Sequence, residues 1–197
     1  YNGKILHVDL TKGALTVEEP NEAFYRKYLG GSAMGMHYIL REMPKGADPL
    51  GPENVLTLMA GVTTGVPISG QSRLNANAKS PLSGGIGDSQ SGGFFPAELK
   101  FAGFDGIVVK GRSPRPVYLA IVEGKYELRD AAHLMGKLTG EVDDILHKEV
   151  DPKAEILQHG IAGGFRLGVL RPQPGRRQQQ SVAGRGVAVD GDGIEGT

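Results

Sequence analysis

At 197 residues, with 39% hydrophobic and 22% charged positions, the chain can bury one sizeable core or two small intertwined ones. Its 22 basic residues balance 22 acidic ones, which removes the electrostatic case for a nucleic acid or an anionic membrane as partner. Cysteine is absent and the five histidines are scattered, which excludes disulfides and thiolate-bound zinc or iron–sulfur clusters and argues against any metal held by this chain's side chains.

The chain opens at Tyr1-Asn2-Gly3-Lys4 and passes directly into strand-like alternation, with no secretory signal and no apolar run near the ~20 residues of a membrane span. A soluble, cytoplasmic protein is therefore expected. Residues 4–10 alternate, Thr11-Lys12-Gly13 turns, and residues 14–18 return, predicting a β-hairpin. A helix is predicted over residues 22–29, ending at Gly30-Gly31, and a second over 32–43. Pro44 and Pro49 mark a loop, and residues 54–60 read as a short buried strand.

Between residues 61 and 106 lies a glycine-rich middle. Residues 61–73 form a turn-rich loop carrying Arg73; residues 74–78 alternate as a strand; residues 80–93 read as a second glycine-rich loop. A short helix is predicted over 96–103, with Pro96 at its first position and Gly103 at its C-cap, before the apolar strand 107–109. Ser91-Gly92-Gly93 stands just ahead of that helix, where unpaired N–H groups favour an anion and glycine lets a phosphate approach. Arg73 offers a planar, permanently charged donor fork suited to phosphate. Two readings stay open: an anionic ligand, or glycines that only make tight turns beside a surface arginine. No Gly-x-Gly-x-x-Gly lies between a strand and a helix, so a dinucleotide site is unsupported.

The plan of the first sixty residues then recurs. Residues 116–122 form a strand, Glu123-Gly124-Lys125 turns and 126–130 returns; a helix is predicted near 142–150, stopped by Asp151-Pro152, and residues 154–158 resemble the earlier buried strand. Hairpin, helix and strand thus appear twice at an offset of about one hundred residues. Strands mixed with helices without strict βαβ alternation predict an α+β fold of two similar intertwined halves, with mixed β-sheets and flanking helices.

The segments Lys79-Ser80-Pro81-Leu82-Ser83-Gly84 and Gly92-Gly93-Phe94-Phe95-Pro96-Ala97-Glu98-Leu99-Lys100-Phe101-Ala102-Gly103-Phe104-Asp105-Gly106-Ile107-Val108-Val109 closely resemble the N-terminal domain of the aldehyde ferredoxin oxidoreductase family. So do Gly3-Lys4-Ile5-Leu6-His7-Val8-Asp9-Leu10-Thr11, Leu29-Gly30-Gly31, Asp48-Pro49-Leu50-Gly51-Pro52-Glu53-Asn54 and Pro116-Val117-Tyr118-Leu119. The resemblance runs in order over residues 1–164, marking these as a pterin-cofactor-binding N-terminal domain. It implies two related α+β halves forming a base under a tungsten or molybdenum bis-pterin cofactor. It also implies that Arg73 and the Gln90-Ser91-Gly92 turn face the pterin and its phosphates, with Ser91 and Gly93 contributing through their backbone. The family usually has asparagine where Gln90 stands. For Asp88 the choice is between a metal or pterin contact and an Asx-type turn, and the turn is favoured.

The resemblance weakens after residue 164. The family's Ala-Gly-Arg-Gly-Gly motif, which contacts the second pterin, survives as Ala183-Gly184-Arg185-Gly186, but residues 187–194 depart from the pattern and Ser181 replaces an arginine. Residues 165–180, with two prolines and Arg176-Arg177-Gln178-Gln179-Gln180, match nothing in the family and suggest disorder, so 165–197 reads as a divergent or disordered end of the domain. A shifted reading frame or assembly error and simple divergence both fit the change, and resequencing the coding DNA separates them.

The implied reaction is oxidation of an aldehyde to a carboxylic acid, with electrons passing through a [4Fe–4S] cluster to ferredoxin. The family's cluster cysteines and acid–base groups lie in helical domains absent from this sequence, so no catalytic residue is assigned and turnover by the chain alone is not expected. Expected partners are ferredoxin and a small aldehyde, with a homodimer as candidate assembly. Two alternatives remain: a relative reducing aromatic thioesters or carboxylic acids, and a non-catalytic anion- or pterin-binding module.

Overall fold

The computed structural model describes residues 1–158 and the backbone of residues 166–171. The predicted hairpin is observed: β1 (Ile5–Asp9) pairs antiparallel with β2 (Ala14–Glu18), and the Asp9 carboxylate closes the turn by accepting the Lys12 N–H at 3.0 Å. The first helix, α1 (Glu22–Tyr28), is capped by the Asn21 side chain, which accepts the Phe24 N–H at 3.0 Å. It stops where Leu29 turns left-handed, and α2 (Gly31–Glu42) begins at once. β3 (Val55–Ala60) completes the first unit.

The middle contains β4 (Leu74–Lys79), β5 (Ile86–Ser91), α3 (Phe95–Phe101) and β6 (Gly106–Lys110). The expectation of a loop over residues 80–93 fails at β5. Its sequence, Ile-Gly-Asp-Ser-Gln-Ser, holds one good strand former, so local propensity does not make it a strand. Pairing does: all six of its residues register against β4.

The second unit brings β7 (Val117–Val122), β8 (Lys125–Asp130), a 3-10 turn (Ala132–Leu134), α4 (Thr139–Glu149), β9 (Glu155–Ile156) and β10 (Arg166–Arg171). α4 starts three residues before the predicted helix because the Glu141 carboxylate reaches back to the Leu138 N–H at 2.8 Å. β10 lies inside the stretch expected to be disordered; parallel pairing with β7 and antiparallel pairing with β9 supply its strand character. The rest of 165–197 lies outside the described residues.

The fold is α+β. A mixed six-stranded sheet runs β2-β1-β6-β3-β4-β5, and a four-stranded sheet runs β8-β7-β10-β9. In each, the hairpin's first strand lies parallel to a much later strand (β1 to β6, β7 to β10), and that strand is antiparallel to the next (β6 to β3, β10 to β9). The β4–β5 hairpin extends the first sheet alone.

Strand alternation divides the interior into three cores. Leu6, Val8, Leu58, Ile107 and Val109 of the large sheet pack against Leu119 and Ile121 of β7, with Phe95 and Leu99 of α3 between them. On its other face, Ile5, Val55, Met59 and Val108 receive Tyr25 of α1 and Met34, Tyr38 and Ile39 of α2. The outer face of the small sheet, Tyr118 and Ala120, is covered by Leu134, Val142 and Leu146. The helices α1, α2 and α4 thus flank the sheets from outside, while α3 lies in the core between them.

A buried ion pair fastens the α3–β6 junction to the start of the chain. Lys100 and Asp105 are in contact and almost fully buried, and the Asp105 carboxylate also accepts the N–H groups of Asn2 (2.9 Å), Gly3 (2.7 Å) and Lys4 (3.3 Å). Burial alone would raise the Asp105 pKa, but the charge and hydrogen bond of Lys100 and the amide bonds outweigh it and hold the carboxyl below its usual range.

Candidate functional site

The 61–73 loop and the last residues of the 80–93 segment, Gly92 and Gly93, meet at the edge where β3 ends, β4 begins and β5 ends, whereas Gly84, Gly85 and Gly87 lie at the other end of the β4–β5 hairpin. Thr64, buried at 2% exposure, ties the ends of the 61–73 loop together: its hydroxyl lies 3.2 Å from the carbonyl oxygens of both Gln71 and Arg73. The Ser72 hydroxyl then crosses to the second segment and donates to the Gly93 carbonyl at 2.7 Å. The Arg73 guanidinium lies directly on Gly92, where a Cβ would stand 2.8 Å from Nη1. A Cβ at Gly92 would therefore displace only the end of this exposed, flexible side chain. Nη1 donates to the Ser72 carbonyl at 3.1 Å, and among the described residues no carboxylate pairs with Arg73, which is exposed. The large apolar side chain late in the 61–73 loop does not plug the surface: Ile68 is 65% exposed.

Register decides which side chains share a face. Asn75 lies opposite Gln90 and Asn77 opposite Asp88, so these four point to the α2 side of the sheet, while Leu74 and Ser91 point toward the core between the sheets. The structure therefore brings Arg73, Gly92 and Gly93 together and puts Gln90 and Ser91 at the adjoining strand end. The expected Gln90-Ser91-Gly92 turn needs correction: Gln90 and Ser91 close a strand, and the chain leaves it at Gly92 and bends from Gly93. Ala183, Gly184 and Arg185 lie outside the described residues.

Asp88 is not an Asx-turn residue. Its carboxylate accepts the Ser32 hydroxyl at 2.8 Å and the Asn75 amide at 3.2 Å, and Asn75 also donates to Ser32 at 2.7 Å. Ser32 sits in the first turn of α2, whose end is pressed on the sheet: a Cβ on Gly30 would stand 2.6 Å from the Ala60 carbonyl oxygen. Sequence reading missed Ser32, Asn75 and Asn77. The available signal was two asparagines sharing one face of a strand whose other face is apolar, Leu74-Asn75-Ala76-Asn77-Ala78.

A second polar cluster occupies the opposite end of the large sheet and braces β1, β2, α2 and β6. Arg41 grips Glu18 with both terminal nitrogens (2.9 and 2.8 Å) and reaches Glu42 at 2.9 Å; His7 contacts Glu18 at 2.9 Å, and Lys110 donates to Glu42 at 3.0 Å. The Arg41 hydrogen bond lowers the Glu18 pKa against a partial burial penalty; for Glu42, burial pushes upward but the Arg41 and Lys110 bonds prevail. Concavities of about 240 and 290 Å³ adjoin this end around Lys12 and Lys110. All these charges are compensated within the cluster, whereas Arg73 is not, so chemistry rather than concavity favours the glycine-lined edge. Among the described residues no group of three histidine or acidic side chains could hold a metal ion, and no helix is long and apolar enough to cross a membrane.

This arrangement of two mixed sheets and outer helices resembles that of known proteins. One subunit of the active-site complex BamBC of benzoyl coenzyme A reductase, solved with 1,5-dienoyl-CoA, superposes with a TM-score of 0.83 at 32% identity over 87% of this chain and 31% of its own. The family model described as the aldehyde ferredoxin oxidoreductase N-terminal domain matches residues 5–186, and the chain belongs to that family. Tungsten-containing aldehyde ferredoxin oxidoreductases of Thermococcus kodakarensis and Pyrococcus furiosus are 44% and 43% identical to it over 162 residues. An aliphatic sulfonate oxidoreductase WOR-like subunit of Pyrococcus furiosus is 37% identical over 153 residues. The chain spans only about a quarter of these relatives: the aligned region covers 82% of this chain but 27% of either aldehyde enzyme.

Proposed function

We propose that this chain is the cofactor-binding domain of a tungsten- or molybdenum-pterin oxidoreductase, with Arg73 and the 90–93 strand end as the seat for the cofactor's phosphate-bearing tail. The single observation carrying this reading is the exposed guanidinium of Arg73, laid on Gly92 between two glycine bends with no carboxylate partner among the described residues. The residues fit such a group: a permanent cation supplies paired N–H donors, and side-chain-free backbone leaves room for phosphate oxygens. Gly92 and Gly93 would offer backbone approach, and Gln90 an amide on the adjoining face. Ala183, Gly184 and Arg185, outside the described residues, are proposed as contacts to a second pterin. The bound metal would supply the two-electron chemistry, while this chain contributes position and electrostatics.

In the whole enzyme, an aldehyde would be oxidised to a carboxylic acid, with a [4Fe–4S] cluster held by other domains and ferredoxin taking the electrons in the cytoplasm. The naming of the Thermococcus and Pyrococcus relatives supports this reading. The matching sheet orders support descent of the two units from one ancestral half. A second reading, reduction of an aromatic thioester, draws on the benzoyl coenzyme A reductase likeness. Assaying the whole enzyme for acid formation from aldehydes and for reduction of aromatic thioesters separates the two.

The seat itself is tested by Arg73→Ala in the whole enzyme. Metal and pterin per protein should fall several-fold while the melting temperature moves little, since exposed substitutions typically change stability by about 0.5 kcal/mol or less. Full metal loading together with a large loss of stability would make Arg73 a structural residue.

A further inference from the structure

We propose that Asp88 is a positioning residue: through Ser32 and Asn75 it fixes the edge strand β5 against α2, and so holds Gln90 and the bend from Gly93 beside Arg73. Its functional consequence rests on the cofactor-seat reading; its structural content does not.

β5 has little else to hold it. Among the described residues it is an outer strand of the six-stranded sheet, paired on one side only, and none of its six residues is buried. Ile86, its one large apolar side chain, is 40% exposed. Gly87, Asp88 and Ser89 are poor strand formers. An edge with these properties frays readily, because its backbone bonds face water and little buried apolar surface is uncovered on opening.

The Asp88 carboxylate opposes that tendency. One oxygen accepts from Ser32 Oγ at 2.8 Å and the other from Asn75 Nδ2 at 3.2 Å, while the same Asn75 nitrogen donates to Ser32 Oγ at 2.7 Å. The donors balance: the two amide hydrogens of Asn75 serve Ser32 and Asp88, and the serine hydroxyl accepts one bond and gives one. This closed ring joins α2, β4 and β5, residues 32, 75 and 88. Its central member is shielded, Asn75 being 8% exposed, so water competes poorly for the amide. The carboxylate also places negative charge beside the first turn of α2, the favourable end of that helix. Gln90 lies two residues further along the same face, directly opposite Asn75. Whatever fixes Asp88 therefore fixes the strand end from which the glycine bend departs.

Hydrogen–deuterium exchange on the 197-residue chain tests this. In Asp88→Ala, amides of residues 86–91 should exchange about tenfold or more faster, as loss of one charge-assisted hydrogen bond implies. Amides of β1 and β6 should keep their rates. Ser32→Ala should accelerate the same amides, and adding it to Asp88→Ala should change little further, since both break one ring. Asp88→Asn, which keeps an acceptor for the Ser32 hydroxyl, should recover part of the protection. Unchanged exchange over residues 86–91 in Asp88→Ala would overturn the proposal, and so would acceleration spread evenly over all strands. Retained cofactor in Arg73→Ala with β5 loosened in Asp88→Ala would refute the seat alone and leave the clamp standing.

Discussion

Replacing Asp105 with alanine is the most incisive test of what holds this domain together. The substitution leaves the Lys100 ammonium buried without its counter-charge and strips the acceptor from three consecutive backbone N–H groups at Asn2, Gly3 and Lys4. Removing one partner of a buried pair typically costs about 3–5 kcal/mol, and the orphaned amides, closer to solvent, add to that cost. For a domain of this size each kcal/mol shifts the melting temperature by roughly 2–4 °C, so a fall of about 6–20 °C is expected. Lys100→Met should cost less, because Asp105 then keeps its amide donors. Thermal and urea unfolding followed by circular dichroism would measure both. The sign with pH follows from the lowered Asp105 pKa: its stabilising contribution is complete above the unfolded carboxyl's pKa, near 3.9, and is lost as pH falls through the lower folded value. Asp105→Asn should therefore flatten the acid limb of the stability curve below about pH 4. A loss under about 1 kcal/mol in Asp105→Ala, or an unchanged acid limb in Asp105→Asn, would refute the reasoning.

Gly35→Ala should destabilise despite alanine's better helix propensity, because its Cβ would stand 2.6 Å from both Asn77 Oδ1 and Thr57 Oγ1; a net loss of about 1–3 kcal/mol is expected in urea unfolding. Asn21→Ala removes the side-chain cap of α1 and should cost about 1 kcal/mol in the same assay, with Asn21→Asp nearly neutral.

Much of the fold is legible in the chain because local pattern and tertiary demand agree. The β1–β2 and β7–β8 hairpins alternate, carry glycine in the turn and appear where expected. α3 ends as its sequence indicates, with Gly103 just beyond Ala102 at positive φ. β5 and β10 are illegible for one shared reason: their strand character comes from a neighbour rather than from their own residues. The β4 partner converts a glycine- and serine-rich stretch into an edge strand, and β7 and β9 convert part of an apparently unstructured tail. The same limit governs the site. Arg73 is visible as a residue type suited to phosphate, yet nothing local says that its guanidinium lies on Gly92, nineteen positions later. Asp88 looks like a turn former because its partner Ser32 is 56 residues away.

The parallel pairing of Ile5 with Gly106 has a consequence for how the protein is made. At about 5–20 residues per second, roughly 5–20 seconds separate synthesis of the first strand from that of the neighbour it must lie beside. During that interval the opening hairpin has left the ribosome with Leu6 and Val8 unsheltered, and closing so wide a loop is slow. Newly made chains should thus be prone to clump until β7 has emerged to cover that face, a window in which a chaperone would matter.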